Sequence, residues 1–223
     1  MDDLKLRARP VERVTAVILA AGESRRYGGP KLLALLDGKP LLQHVLDAVN
    51  DSMLAEVVLV VGHAADDILA AVRLGRARVV LNEGYASGQS TSLRAGLRAS
   101  SAADAAVILL GDQPRVTSAL LGALVDRQRT TGAAAVVCSW NGRRSPPTLL
   151  HRDLWPALDA LTGDIGAREL LASLDDVAVL DVGAPLGSLE DVDRPEDLAR
   201  MERPSRGAAS ASSATRRRRG RLR

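Results

Sequence analysis

Short runs rich in Val, Ile and Leu take turns with stretches of helical periodicity along most of the chain, and this alternation limits the fold more than any other feature. The runs are TAVILA (15–20), EVVLVV (56–61), ARVVL (77–81), AAVILL (105–110), AAAVVC (133–138) and DVAVLDV (176–182). Most lack the period-two pattern of a strand with one wet face, so they read as strands buried on both faces. Between them lie PLLQHVLDAVN, ADDILAAVRLG, SLRAGLRAS, SALLGALVDRQRT and ARELLASL, with apolar residues at helical spacing. Parallel neighbours need a long crossover, usually a helix. The order therefore predicts βαβ units, hence a single-domain α/β fold: a Rossmann-like, mostly parallel sheet with helices on both faces.

Composition fits that fold and narrows its context. The 223 residues suit one domain, and 46% apolar residues suffice for a core. Aromatics are only 2% with no Phe, so the core must be aliphatic. No apolar stretch approaches the roughly 20 residues that span a bilayer, and MDDLKLRARPVER is too polar for a secretory signal. A cytoplasmic protein without membrane contacts is expected. The lone Cys138, set in AAAVVCSW, reads as a small buried residue.

The net charge of +3 is misleading until the charges are located. Residues 203–223, RPSRGAASASSATRRRRGRLR, hold eight arginines and no acid, so the formal +3 less these eight leaves the rest at −5. Three segments are expected: an N-terminal extension over 1–13, a folded body over 14–202, and a disordered Arg-rich tail over 203–223. The tail can touch polyanions weakly, but nothing in the body reads as a nucleic-acid surface.

In open parallel sheets, ligands bind beyond the carboxyl ends of the strands. The loops there are AGESRRYGGPK after the first run, NEGYASGQSTSLR after the third and GDQPR after the fourth. The first looks built for phosphates: glycines let backbone N–H groups approach an anion, while Arg25, Arg26 and Lys31 supply charge. It is neither GxxxxGK[ST] nor GxGxxG. Asp112 stands just past an apolar strand, where it can ligate a hard cation such as Mg²⁺ or form a turn before Pro114. In LEDVDRPEDLARM, Asp193 either caps the last helix with Glu196 or joins Asp112 as a metal ligand. Two carboxylates, a cationic glycine-rich loop and an α/β sheet fit a nucleoside triphosphate with its magnesium.

These residues carry a family resemblance. LAAGESRRYGGPK resembles the LAAGxSxRMGxxK pattern of the MobA-like nucleotidyltransferases, with Tyr27 where Met is usual. The stretches GQSTSLRAG (88–96), GDQP (111–114) and GDIGAR (163–168) resemble the molybdenum cofactor cytidylyltransferase branch; the guanylyltransferase branch usually has Met at Gln113. The resemblance implies that Leu19, Ala20, Ala21 and Gly22 lie against the nucleotide. Arg26 and Lys31 would hold its triphosphate, and Asn82, Gly88, Gln89 and Ser90 would face base and ribose, with Gly111 beside them. Asp112 and Asp193 would hold Mg²⁺. The implied partners are CTP (or GTP) and a molybdopterin-type phosphate acceptor, with handover of the product to a molybdoenzyme. Where the family commonly has Gly-His-Pro, this chain has Ser145 and Pro146, which bears on the acceptor. Proteins described as nicotine blue oxidoreductases resemble the same family and often share the GGPK ending, but tend to lack the glycine that Gly111 supplies.

Overall fold

A computed structural model describes residues 10–160, 163 and 167–202. The seven-stranded sheet has the order β5-β4-β1-β6-β8-β7-β9. In chain order the elements are β1 (Val14–Ala20); a short ribbon of β2 (Leu35–Leu36) and β3 (Lys39–Pro40); α1 (Leu41–Asn50); β4 (Glu56–Val61); α2 (Ala65–Ala71); β5 (Ala77–Leu81); and α3 (Gln89–Ala99). There follow β6 (Ala105–Leu110), α4 (Ser118–Thr131), β7 (Ala135–Trp140), β8 (Arg143–His151), α5 (Trp155–Asp159), α6 (Arg168–Ser173), β9 (Val177–Asp181) and α7 (Pro195–Met201).

The α/β architecture expected from the alternation is present, with one antiparallel member. β8 runs against both β6 and β7, while every other pairing of the large sheet is parallel. Its sequence, RRSPPTLLH, opens with charged residues and two prolines, which hide a strand from any propensity reading. The run expected at 133–138 is shifted two residues along, to Ala135–Trp140.

Both faces of the sheet are covered, as buried parallel strands require. On β1, Ala16 and Ile18 turn to one core with Leu42, Leu46, Leu120 and Leu124 of α1 and α4, while Val17 turns to the other with Leu93 and Leu97 of α3. Cys138 lies in the first core, where burial pushes its thiol up to about 12. It is a packing residue. The expected N-terminal extension partly joins the body: Val11 is buried, and its N–H donates to Gln128 Oε1. The Arg-rich tail lies outside the described residues.

A third, smaller cluster joins distant segments. Leu36 and Leu41 pack with Val192 and Met201, and Tyr27 leans against them. Tyr27 therefore fastens the first loop to the C-terminal segment, a task its large ring suits. Among the described residues, no helix is long and apolar enough to cross a membrane.

Gly96 sets how closely α3 approaches the sheet. A Cβ there would collide with Val17 Cγ1 and come within 3.2 Å of Val60 Cγ2. Gly96→Ala improves helix propensity by about 1 kcal/mol, but overpacking costs about 1–3 kcal/mol and Val17 is a stiff, fully buried branch. The variant is expected to unfold at lower urea concentration than the parent; an unchanged or higher midpoint would show that α3 can shift outward freely.

Candidate active site

The site arises where the sheet's connections change direction. β1 is flanked by β4 on one side and β6 on the other, and Leu19 pairs with Leu110 at the carboxyl ends of β1 and β6. Loops leaving these two strands diverge from a common point, the usual place for a ligand in such sheets. Gly111 N–H donates to Leu19 O at 3.1 Å, locking the two strand ends together, and a Cβ on Gly111 would press within 3.2 Å of Leu32 and Leu42.

The first loop turns tightly at Ser24, whose carbonyl accepts from Tyr27 N–H at 2.9 Å. Ser24 and Gly28 both have positive φ, at 55° and 81°. The turn separates the loop's cations. Arg25 pairs with Glu23 at 2.5 Å, whereas Arg26 reaches Asp193 at 2.7 Å. Lys31 sits deeper, with a side chain 14% exposed against 69% for Arg26, and its ammonium bridges Asp112 and Asp193. The Asp193 bond is 3.1 Å long.

Asp193 is therefore no helix cap. The cap of α7 is made by Asp197, whose Oδ2 accepts from Asp193 N–H at 3.1 Å and Arg194 N–H at 2.9 Å. That frees the Asp193 carboxylate for the cleft. Asp191, absent from the sequence reading, also lines it.

Burial pushes the Asp112 carboxyl above its usual range, and the charge and hydrogen bond of Lys31 offset only part of this. Burial alone would lower the Lys31 ammonium, but attraction to Asp112 and bonds to both carboxylates outweigh it and hold the ammonium above its usual value. Asp112 Oδ1 is buried without any hydrogen-bond partner. An orphaned hard oxygen beside a second carboxylate fits a divalent cation. Among the described residues no three His, Cys, Asp or Glu side chains form a metal cage. Magnesium commonly takes one or two carboxylates and draws its other oxygens from phosphates and water, so the donor set fits.

A polar cavity of about 620 Å³ contains this group. Leu19, Ala20, Ala21, Gly22, Arg26, Lys31, Gly88, Gln89, Gly111, Asp112 and Asp193 all line it, and sequence reading had named each. Asn82 and Ser90 do not. Asn82 is buried, donating to Thr91 Oγ1 and Ser92 Oγ at 2.9 Å and accepting from Gly84 N–H at 3.1 Å. Its amide folds the loop onto α3. Ser90 is fully buried beneath the start of α3. Tyr85, edge-on to His63, is an unpredicted wall of the cavity. Within the GDIGAR stretch, Asp164, Ile165 and Gly166 lie outside the described residues.

A second cavity, about 630 Å³, adjoins the first along β6 and β8. Arg144, Ser145 and Pro146 line it, whereas Arg143 does not. Gln113 lines neither cavity; it is buried and donates to Ser145 Oγ and Leu189 O, both at 3.1 Å. It is a strut between the loop after β6, strand β8 and the segment before α7.

The MobA-like NTP transferase domain matches residues 16–177. The chain belongs to this family. Its relatives include the nicotine blue oxidoreductase of Paenarthrobacter nicotinovorans, 31% identical over 84% of this chain and 96% of that protein. The purine catabolism protein PucB of Bacillus subtilis strain 168 is 34% identical over 84% of this chain and 95% of its own length. Among solved structures, Rv0371c from Mycobacterium tuberculosis H37Rv in complex with manganese is 29% identical, covers 85% of this chain and 98% of that one, and superposes with a TM-score of 0.71. The family is one of nucleotidyltransferases, and the sheet has its form.

Lys31 lies between the two carboxylates, so a divalent cation binding both would compete with its ammonium. Lys31→Met should therefore melt lower than the parent, since it leaves Asp112 buried and unpaired, and Mn²⁺ should raise its melting temperature more than the parent's. The comparison is made by thermal shift at one fixed pH for both proteins. A parent stabilised as much by Mn²⁺ as the variant would contradict competition at this site.

Proposed function

We propose that this nucleotidyltransferase moves CMP from CTP to the terminal phosphate of molybdopterin and releases pyrophosphate, with Mg²⁺. The observation that carries the reading is one polar cavity in which Arg26 and Lys31 meet the carboxylates of Asp112 and Asp193, beside a second cavity with which it shares lining residues. CTP and molybdopterin are supported by the GQSTSLRAG, GDQP and GDIGAR stretches. A metal is supported by the orphaned Asp112 oxygen and by manganese in a relative's structure.

The chemistry asks little covalent work of the protein. An oxygen of the acceptor phosphate forms a bond to the α-phosphorus of CTP, and the bond to the oxygen leading to the β-phosphate breaks in line. The attacking group is already an anion, so no general base is required. The barrier lies in bringing anions together and in the charge that builds on the leaving pyrophosphate. Arg26 and Lys31 would neutralise that charge, while the backbone of Ala20, Ala21 and Gly22 and the rim of Gly88 and Gln89 would orient the nucleotide. Asp112 and Asp193 would hold Mg²⁺, which would supply electrostatic stabilisation of the phosphates.

A second reading is favoured by the nicotine blue oxidoreductase relative, which matches over nearly its whole length. On that reading the same cleft binds a nicotinamide nucleotide.

The test incubates the protein with Mg²⁺, molybdenum cofactor and each labelled nucleoside triphosphate, with pyrophosphate release as readout. Release is expected with CTP. Release with GTP but not CTP moves the protein to the guanylyl branch, and tight NADH binding without CTP binding selects the oxidoreductase. Asp112→Asn is expected to slow transfer at least about a hundredfold, the scale of losing one electrostatic stabiliser; near-normal turnover would remove Asp112 from the metal site.

A further inference from the structure

The chain has two Tyr, two Trp and no Phe. Three of these four rings pack against the hydrophobic clusters: Trp140 and Trp155 on the two main cores, Tyr27 on the third. Tyr85 belongs to none of the clusters, and it alone of the four lines a cavity, the polar one. Its hydroxyl makes no hydrogen bond among the described residues. Neither core packing nor a polar bond therefore accounts for an aromatic ring at this place.

The ring is nevertheless held. A Cβ on Gly62, just past β4, would stand 2.9 Å from Tyr85 Cβ and Cδ1 and from Ala21 Cβ, so Tyr85 lies flush against the main chain where β4 ends. His63 meets the ring edge-on, with centroids 6.0 Å apart and an interplanar angle of 60°. The loop that carries Tyr85 is folded onto α3 by the Asn82 amide. A ring fixed in advance loses little freedom when a ligand arrives, so its contact is kept as affinity.

The place of the ring suits one part of a nucleotide. Asn82 and Ser90, expected at base and ribose, are buried and line neither cavity, which leaves Tyr85 as the flat surface of the cleft. It shares the polar cavity with Arg26 and Lys31 but does not line the second cavity. A base lying on it leaves the phosphates to the two cations. Every nucleobase has a π-face, so such a contact tolerates any base.

We infer that the nucleobase stacks on the Tyr85 ring, and that this contact supplies affinity without selecting the base. The inference rests on the nucleotide reading of the cleft for its ligand, and its test separates the two.

The experiment measures binding without turnover. The full chain with Mg²⁺ is titrated calorimetrically with non-hydrolysable CTP and GTP analogues and with tripolyphosphate, which has the phosphates and no base. Tyr85→Ala should weaken any analogue that the parent binds about tenfold, the scale of one base–aromatic contact, and tripolyphosphate less than about twofold. Retained tripolyphosphate binding also reports a folded variant. Tyr85→Phe should bind like the parent, because it keeps the ring and loses only an unused hydroxyl. Unchanged analogue affinity in Tyr85→Ala, or an equal loss for tripolyphosphate, overturns the assignment. A loss in Tyr85→Phe as large as in Tyr85→Ala replaces stacking with a hydroxyl contact, and a loss confined to one base overturns the tolerance. A parent that binds NADH and neither analogue defeats the cytidylyl reading instead, and the same variants titrated with NADH then decide the stack.

Discussion

One half-buried ammonium ties together three stretches of chain that lie far apart in sequence. Lys31 ends the loop after β1, Asp112 follows β6, and Asp193 precedes α7, 162 residues beyond Lys31. Asp112 is costly to bury as an anion, and Lys31 is costly to bury as a cation; each makes the other tolerable. The surrounding structure serves that pairing. Tyr27 is packed against Val192 and Met201, so the loop and the C-terminal segment close on each other, and Asp197 takes over the capping of α7 so that Asp193 stays available.

The pairing depends in turn on the sheet. Because β1 lies between β4 and β6, two loops leave its end in different directions, and the Gly111 to Leu19 hydrogen bond keeps their roots together. The two sheet faces are used unequally. Helices α1 and α4 close one face over a continuous aliphatic core, whereas on the other α3 presses in at Gly96 and a cavity remains between α3, α6 and the strands β6, β7 and β8. A polar cleft and a more apolar one thus share an edge.

Much of this is legible in the amino-acid sequence. The first, second, third and fourth Val/Ile/Leu runs became strands with ends within a residue of those read from pattern, because strands buried on both faces leave an unmistakable continuous apolar signal. β8 escaped because arginines and prolines occupy its first half, and only its pairing with β6 and β7 makes it a strand. Asn82 drew attention as a polar residue after a strand; its amide is instead spent on Gly84, Thr91 and Ser92. Asp191 does not stand out in sequence because nothing in LEDVDRPEDLARM separates it from its neighbours, and whether an acidic residue faces a cleft or caps a helix depends on chain direction there. Residue type announces chemistry, whereas orientation has to be folded.

The sequence by itself determined the α/β class, the cationic and glycine-rich character of residues 21–31 and the position of Asp112 and Asp193 beyond strand or before helix, because periodicity, glycine placement and charge after a strand are local properties. Only the tertiary structure decided that Lys31 lies between those carboxylates, that Arg25 turns to Glu23, that Gln113 is a strut, and that Arg168 stands where two cavities join. Each of these depends on which partner a side chain finds when distant segments are brought together. Burial then settles the outcome, since a charge out of water is stable only beside its counter-charge.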